Sequence, residues 1–373
     1  MLSSILSIAL VINELMASNA GSVMSPAYNF DSWIELYNPT SQTIDLSGMY
    51  LSDDADNLKR WQMPNNVGSV PAKGFRVVWL GSDEILTNQA PFKLDCDGGI
   101  IFLSDRSGQI VTSVSYPEAL SRTAWARKTD GGDDWGWTAN ATPGATNATS
   151  VFADKRLDAP EVSEGSRLFT GTLTVKVDIP KGTTLMYTTD GSVPTTTSAG
   201  TARKSSDGKF TVSATTNYVF RLFRDGYLPS VPVVRSYIRT TSQYTIPVIS
   251  IVGDERYFTD PMWGIDVKGQ NGIAGNGRDD PVNWNQPWDR PVNFSYISPT
   301  GGMLFNQDVN ISVSGGWSRM SSPRSMKLKS TRFSTARTTS TTPSSRRSPT
   351  SAAKPCWCAT AATTPTRASW TRP

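Results

Sequence analysis

With 373 residues, 38% of them hydrophobic and only 18% charged, the chain is long enough for roughly two to four domains, each with its own core. It has no histidine and only three cysteines, Cys96, Cys356 and Cys358. That excludes Ser-His-Asp and Cys-His catalysis, His-ligated zinc, a disulfide framework and a Cys-rich metal site. A net charge of +4 is too small to attract polyanions over the whole surface. Any chemistry falls to carboxylates, Lys, Arg, Tyr or a hard metal ion.

Residues 1–10, MLSSILSIAL, are apolar but far short of the about 20 residues of a membrane span. They read as an N-terminal β-strand or as the remnant of a secretion signal, without a basic start or a small-residue cleavage site. Beyond them, long helical periodicity is scarce and period-2 alternation recurs. Leu173, Val175, Val177 and Ile179 share one face, as do Val309, Ile311 and Val313. The turn pairs Asp97-Gly98, Asp190-Gly191 and Asp225-Gly226 separate strands. Small-residue stretches at Asn140–Ser150 and Thr240–Pro247, and a change of composition after Lys329, mark the boundaries.

The first segment, 11–148, carries NELMASN, WIELYN, DLSGMYLSD and TPGATN in that order. It resembles the lamin tail domain, an immunoglobulin-like β-sandwich, over nearly its whole length. A sandwich buries alternate residues of two sheets, which places Trp33, Leu36, Leu46, Leu51, Val78 and Phe102 in the core. The acidic clusters Asp53, Asp54, Asp56 and Asp130, Asp133, Asp134 lack EF-hand spacing and are expected to form Asx-turns and solvated loops. The resemblance implies a binding or spacer module of the kind found on bacterial surface proteins.

Residues 149–156 read as a linker to the second segment, 157–240. Its specific part is MYTTDGSVPT, in which Asp190-Gly191 makes a tight turn and Pro194 keeps the following stretch out of a sheet interior. With Tyr187, Thr188, Ser192 and Thr195, and a closing strand up to Tyr237, it resembles the C-terminal module of chitobiase and β-hexosaminidase. This is an Ig-like accessory module. The resemblance implies a spacer, with carbohydrate contact through exposed aromatics as the alternative.

The third segment, 245–329, resembles the start of the CotH family of spore-coat-type atypical kinases. The residues that carry this are Pro247 through Val252, Gly264, Asn283, Trp288, Arg290, Pro291, Gly315, Gly316, Ser318 and Arg319. A kinase neutralises triphosphate charge with basic side chains and magnesium. The resemblance therefore makes Arg319, Arg324 and Lys327 candidate ATP contacts, and implies ATP and Mg2+ for an intact family member. Each of the three is also consistent with an ordinary half-exposed strand. In Met326–Lys329, Met326 and Leu328 should face inward and Lys327 and Lys329 outward. The family's magnesium-binding and catalytic carboxylates lie further along, so no catalytic residue, metal site or cofactor is assigned to this chain.

The tail, 330–373, has no Asp, Glu, Gly, Ile, Leu or Val. It reads as a disordered basic tail, as a nucleic-acid-binding segment, or as the product of a shifted reading frame. The third reading rests on codon arithmetic. When each codon takes the last base of one triplet and the first two of the next, Cys356-Trp357 forces Leu, Trp357-Cys358 forces Val and Trp370-Thr371 forces Asp. The neighbouring residues permit LLVRNGGNDTYARIMD there and QVFDGKNYFDYP over Arg332–Pro343. A frame change near Ser330 is the expectation, with the tail itself disordered.

The expected fold is mainly β: two Ig-like β-sandwich modules, an incomplete α+β kinase-like domain and a disordered tail. The expected function is a secreted or cell-surface modular binding or spacer protein. It would take a protein or glycan ligand, would not bind nucleic acid, and its kinase-like part would be inactive. The alternatives are a full-length parent that phosphorylates Ser or Thr from ATP, and a carbohydrate-binding cell-wall adhesin. The unfinished sheet of 245–329 would leave hydrogen-bonding edges open.

Overall fold

The computed structural model describes residues 9–81, 86–196 and 201–330, and the backbone of a short strand at 357–359. These residues are mainly β, arranged in several sheets. They fall into two compact units, one built from Met1–Asp254 and Pro291–Asp308, the other from Glu255–Arg290 and Val309–Thr331.

In the first unit, the opening module has eleven strands: β1 (Val11–Met16), β2 (Ser32–Tyr37), β3 (Ile44–Asp45), β4 (Tyr50–Ser52), β5 (Trp61–Gln62), β6 (Ser69–Val70), β7 (Phe75–Leu80), β8 (Gly99–Ser104), β9 (Ile110–Tyr116), β10 (Ala124–Arg127) and β11 (Trp135–Thr138). Two sheets, ordered β11-β10-β1-β2-β7 and β5-β4-β8-β9, bury a shared core that includes Ile12, Leu15, Ile34, Leu36, Leu51, Ile101 and Leu103. All six expected core residues are buried, Trp33, Leu36, Leu46 and Leu51 completely. Leu36, Leu46, Leu51 and Val78 belong to the shared core, whereas Trp33 and Phe102 do not. Trp33 is part of another cluster. It lies on the outer face of the five-stranded sheet, in a second cluster with Met16 and Ala124 against Val77, Trp79 and Ala141. The sheet is therefore covered on both faces, which explains why β1 and β2 are buried at nearly every residue and do not alternate.

Residues 149–156 are tied down at three points. Phe152 bridges Thr138, the Ala153 N–H donates to Trp137 O at 3.0 Å, and Arg156 Nη2 donates to Ser121 O at 2.7 Å.

The second module comprises β12 (Arg167–Phe169), β13 (Leu173–Lys176), β14 (Thr184–Thr188), β15 (Arg203–Ser205), β16 (Lys209–Val212), β17 (Thr216–Phe223) and β18 (Val233–Arg239). A sheet ordered β12-β18-β17-β14-β15 faces the pair β13-β16. The expected alternation holds: Val175 and Val177 are core, with Leu173 and Ile179 packed against it. Phe210, Tyr218, Phe220 and Tyr237 supply its aromatic centre. Glycines at the three Asp-Gly turns take positive φ, as such turns require: Gly98 at 95°, Gly191 at 81° and Gly226 at 76°.

Strand β19 (Val248–Val252) also belongs to the first unit. Ser250 Oγ donates to Ser236 Oγ at 2.7 Å, and Val252 packs with Val219 and Val234. Small buried side chains at this seam let β19 approach the second module closely.

The second unit contains a single-turn helix, α1 (Arg256–Thr259), and the hairpin β20 (Ile273–Gly275) and β21 (Arg278–Val282). Strands β22 (Arg290–Ile297) and β23 (Met303–Val313) cross the division between units. β22 pairs antiparallel with β19, from Val252↔Asn293 to Val248↔Ile297. The far end of β23 pairs with β24 (Met326–Ser330), from Val309↔Ser330 to Val313↔Met326. Val309, Ile311 and Val313 are buried, as expected. The expectation for 330–373 lies outside the described residues, apart from Ser330 in β24 and from β25 (Trp357–Ala359), whose backbone pairs with Met326–Leu328.

Candidate functional site

A dense set of interacting polar groups is built on β1 and β2. A bulge in β1 shifts the register between Ile12 and Glu14, so that Glu14 stands opposite Glu35. The extra residue, Asn13, reaches the same side: its Nδ2 donates to Glu35 Oε1 at 3.1 Å and to Asp130 Oδ1 at 3.0 Å. Both glutamates are fully buried.

The TPGATN turn closes over them. Thr142 N–H donates to Glu14 Oε2 at 3.1 Å, and Gly144 N–H donates to Glu35 Oε2 at 2.6 Å. Asn147 holds the far end: its N–H donates to Asp130 Oδ1 at 3.0 Å and its Nδ2 to Arg127 O at 2.8 Å. Thr142 Oγ1 donates to Asn147 Oδ1 at 2.8 Å and completes the ring. Residues more than 100 positions apart are thereby clasped into one network.

Burial, and then the Glu35 charge, push the Glu14 carboxyl up to about 8. Burial pushes Glu35 to about 7, against the hydrogen bonds from Asn13 and Gly144 that favour its charged form. The pair thus takes up protons near neutral pH while holding a loop. Chemically it is a latch.

The other motif residues are engaged in the same way. Asn38 donates to Gln42 O, Val70 O and Pro71 O and accepts from Thr40. Asn19 Oδ1 accepts from Val23 N–H at 2.9 Å, and its Nδ2 donates to Asp31 O at 2.8 Å. The acidic clusters behave as turn and pairing residues: Asp54 Oδ1 accepts from Asp56 N–H at 2.9 Å, Asp53 pairs with Arg60, and Lys128 pairs with Asp134 at 3.2 Å. Sequence reading quoted Glu14 and Glu35 inside their motifs without giving them a role. The available signal was a lone carboxylate amid apolar neighbours in VINELM and SWIELY.

In the second unit, of the three expected ATP contacts, Arg319 lies in the 3-10 turn Trp317–Met320, Arg324 in the loop that follows and Lys327 on β24. Arg319 Nε donates to Gly315 O at 2.6 Å and its Nη1 to Trp284 O at 3.0 Å. Arg324 stacks on the Trp284 ring at 3.7 Å, donates through Nε to Arg319 O at 2.9 Å and pairs with Asp266 at 2.6 Å. Lys327 is half-buried on β24, opposite Ser312. Arg319 and Arg324 are thus joined, with their donors turned onto the protein. A triphosphate that drew on those donors would have to displace these bonds, and no phosphoryl step is derived through them. Met326 and Leu328 are only half-buried, like their lysine neighbours, and Lys329 Nζ is paired with Asp289 at 2.8 Å.

Asn283 and Arg290 are likewise internal. Asn283 Nδ2 donates to Gly264 O at 3.1 Å, and Arg290 is completely buried over the Trp288 ring at 5.2 Å. Among the described residues, no group of three or more Cys, Asp and Glu side chains is arranged to hold a metal ion. No described helix is long and apolar enough to cross a membrane.

Residues 7–118 match the family model described as Lamin Tail Domain. This match covers β1 through β9, and so includes both glutamates of the latch. No curated protein matches the chain.

Proposed function

We propose that this chain is a secreted or cell-surface modular protein whose β-modules bind or space a protein or glycan ligand. The observation that carries the reading is the Glu14–Glu35 latch. It ties the last turn of the first module to its first two strands, making that module a self-contained body suited to display. Its motif side chains serve the fold, which leaves the loops and exposed strand faces for recognition. MYTTDGSVPT and the Asp190-Gly191 turn support reading 157–240 as a chitobiase C-terminal-like accessory module. The ordered residues from Pro247 to Arg319 support reading 245–329 as the opening part of a CotH-like kinase domain, inactive in this chain. The intact parent would be a Ser/Thr kinase that uses ATP and Mg2+.

The test is a pair of assays on the purified full chain. Protein and glycan arrays should yield a ligand, and incubation with labelled ATP and Mg2+ should transfer no phosphate. Phosphorylation that disappears in a Lys327→Ala variant would overturn the reading.

A further inference from the structure

A cleft of about 380 Å³ opens where the second module meets the turn between β22 and β23. All of its walls belong to the first unit. They are β12 with the turn that follows it, residues 167–173, the segment after β18 at Thr240 and Ser242, and the turn at 299–301. The volume lies in the range of small-ligand sites, about 300–1,000 Å³.

The walls are fixed to one another. Leu168 N–H donates to Gly301 O at 3.1 Å, and Thr240 N–H donates to Phe169 O at 3.0 Å. Gly301 has φ of 105°, and an added Cβ would come within 3.3 Å of Leu168 O, so glycine permits this close approach. The strands that carry the walls are joined by buried polar groups. Ser166 Oγ lies 3.1 Å from Ser295 Oγ and accepts Ser236 N–H at 3.0 Å, and Asn306 Nδ2 donates to Ser295 Oγ at 2.7 Å. The cleft is therefore preformed, which lowers the ordering cost of binding.

Its lining differs from that of a site for an apolar molecule. Hydroxyls of Thr170, Thr172, Thr240, Ser242 and Thr300 line it, and all but Thr240 are exposed. Each hydroxyl can both donate and accept. Among the described residues, Arg167 is the one charged side chain of the lining, and its Nη1 pairs with Glu164, which offsets the charge. Arg167 Nε is buried without a hydrogen-bond partner, an unmet donor beside the cleft. Leu173 and Pro299, both half-buried, add a small C–H surface. A lining rich in hydroxyls, close to neutral and with a small apolar patch matches a polyhydroxylated ring that also has a C–H face.

We propose that this cleft binds a neutral sugar residue of a glycan. The proposal rests on the glycan form of the function proposed above and places the site.

The test is a glycan array probed with the purified full chain, followed by calorimetric titration of the oligosaccharide retained. The array carries neutral oligosaccharides of glucose, galactose, mannose and N-acetylglucosamine, with galacturonate oligosaccharides as charged comparators. Thr172→Trp and Ser242→Trp fill the cleft from two walls, and each should weaken binding by about tenfold or more. Ser115→Trp on β9 should leave it unchanged. Thr172→Val removes one hydroxyl at nearly constant volume, and should weaken binding by about threefold without a change in melting temperature. Binding that survives both tryptophan variants would overturn the cleft and leave a glycan site elsewhere on the chain. Preference for galacturonate oligosaccharides would overturn the neutral ligand. Retention of no sugar would overturn the proposal, while a ligand found on a protein array would keep the display function standing.

Discussion

Glu14 and Glu35 stand directly opposite each other across β1 and β2, both without solvent exposure, and each accepts a backbone N–H from the 142–147 turn. Two like carboxylates in a cross-strand pair oppose each other unless a proton intervenes. The turn therefore closes on a pair that favours partial protonation.

This gives a pH dependence with a definite sign. Unfolded, both groups titrate near 4.5; folded, they titrate at about 8 and about 7. Between those limits the folded state binds more protons than the unfolded one, so their contribution is fullest below about 4.5 and is lost as pH rises toward 8. Each group contributes a slope of at most about 1.4 kcal/mol per pH unit. Urea melts at pH 5.5 and 8 should show lower stability at the higher pH, and Glu14→Gln should roughly halve the difference. A flat profile would refute the assignment.

The turn itself offers a separate check. Gly144 has φ of 82° with open space around its Cα. Gly144→Ala meets no clash and should cost about 1–2 kcal/mol from backbone strain alone. Chemical denaturation would measure it, and Gly144→Asn should cost less.

Gly191 presents the opposite case. Its φ is 81°, and an added Cβ would lie 2.1 Å from Gly253 O. Gly226, with φ of 76°, has nothing within 4 Å. Both alanine variants suffer the strain, but only Gly191→Ala must push β19 away from the second module. It should be the more destabilising by at least about 2 kcal/mol. Equal losses in denaturant melts would show that the close approach does not exist.

Arg324 is held by a ring on one side and a carboxylate on the other. Arg324→Lys keeps the charge and loses the flat stack, and should lower stability by about 1 kcal/mol. The same variant should leave any ATP affinity of the chain unchanged. A fall in ATP binding without a fall in melting temperature would reinstate Arg324 as a nucleotide contact.

Much of the fold was legible in the amino-acid order because β-structure writes itself locally. Alternation marked Val175 and Val177 as core, Asp-Gly pairs marked the turns, and large apolar residues such as Leu46 and Leu51 lay where a sandwich buries them. The latch was not legible. Its partners are 109 to 128 positions apart, and nothing in the spacing of Glu35 says that Gly144 will meet it.

By itself, the sequence determined the mainly β character, the chemistry that a chain without histidine must forgo, and the break in composition after Lys329. The three-dimensional structure alone decided which charged groups are buried and paired within the fold. It turned Arg319 and Arg324 onto backbone carbonyls and a ring, and set two glutamates face to face under a turn. The physical reason is that a side chain's role depends on its solvation and partners, and strand pairing fixes both across separations that periodicity does not encode.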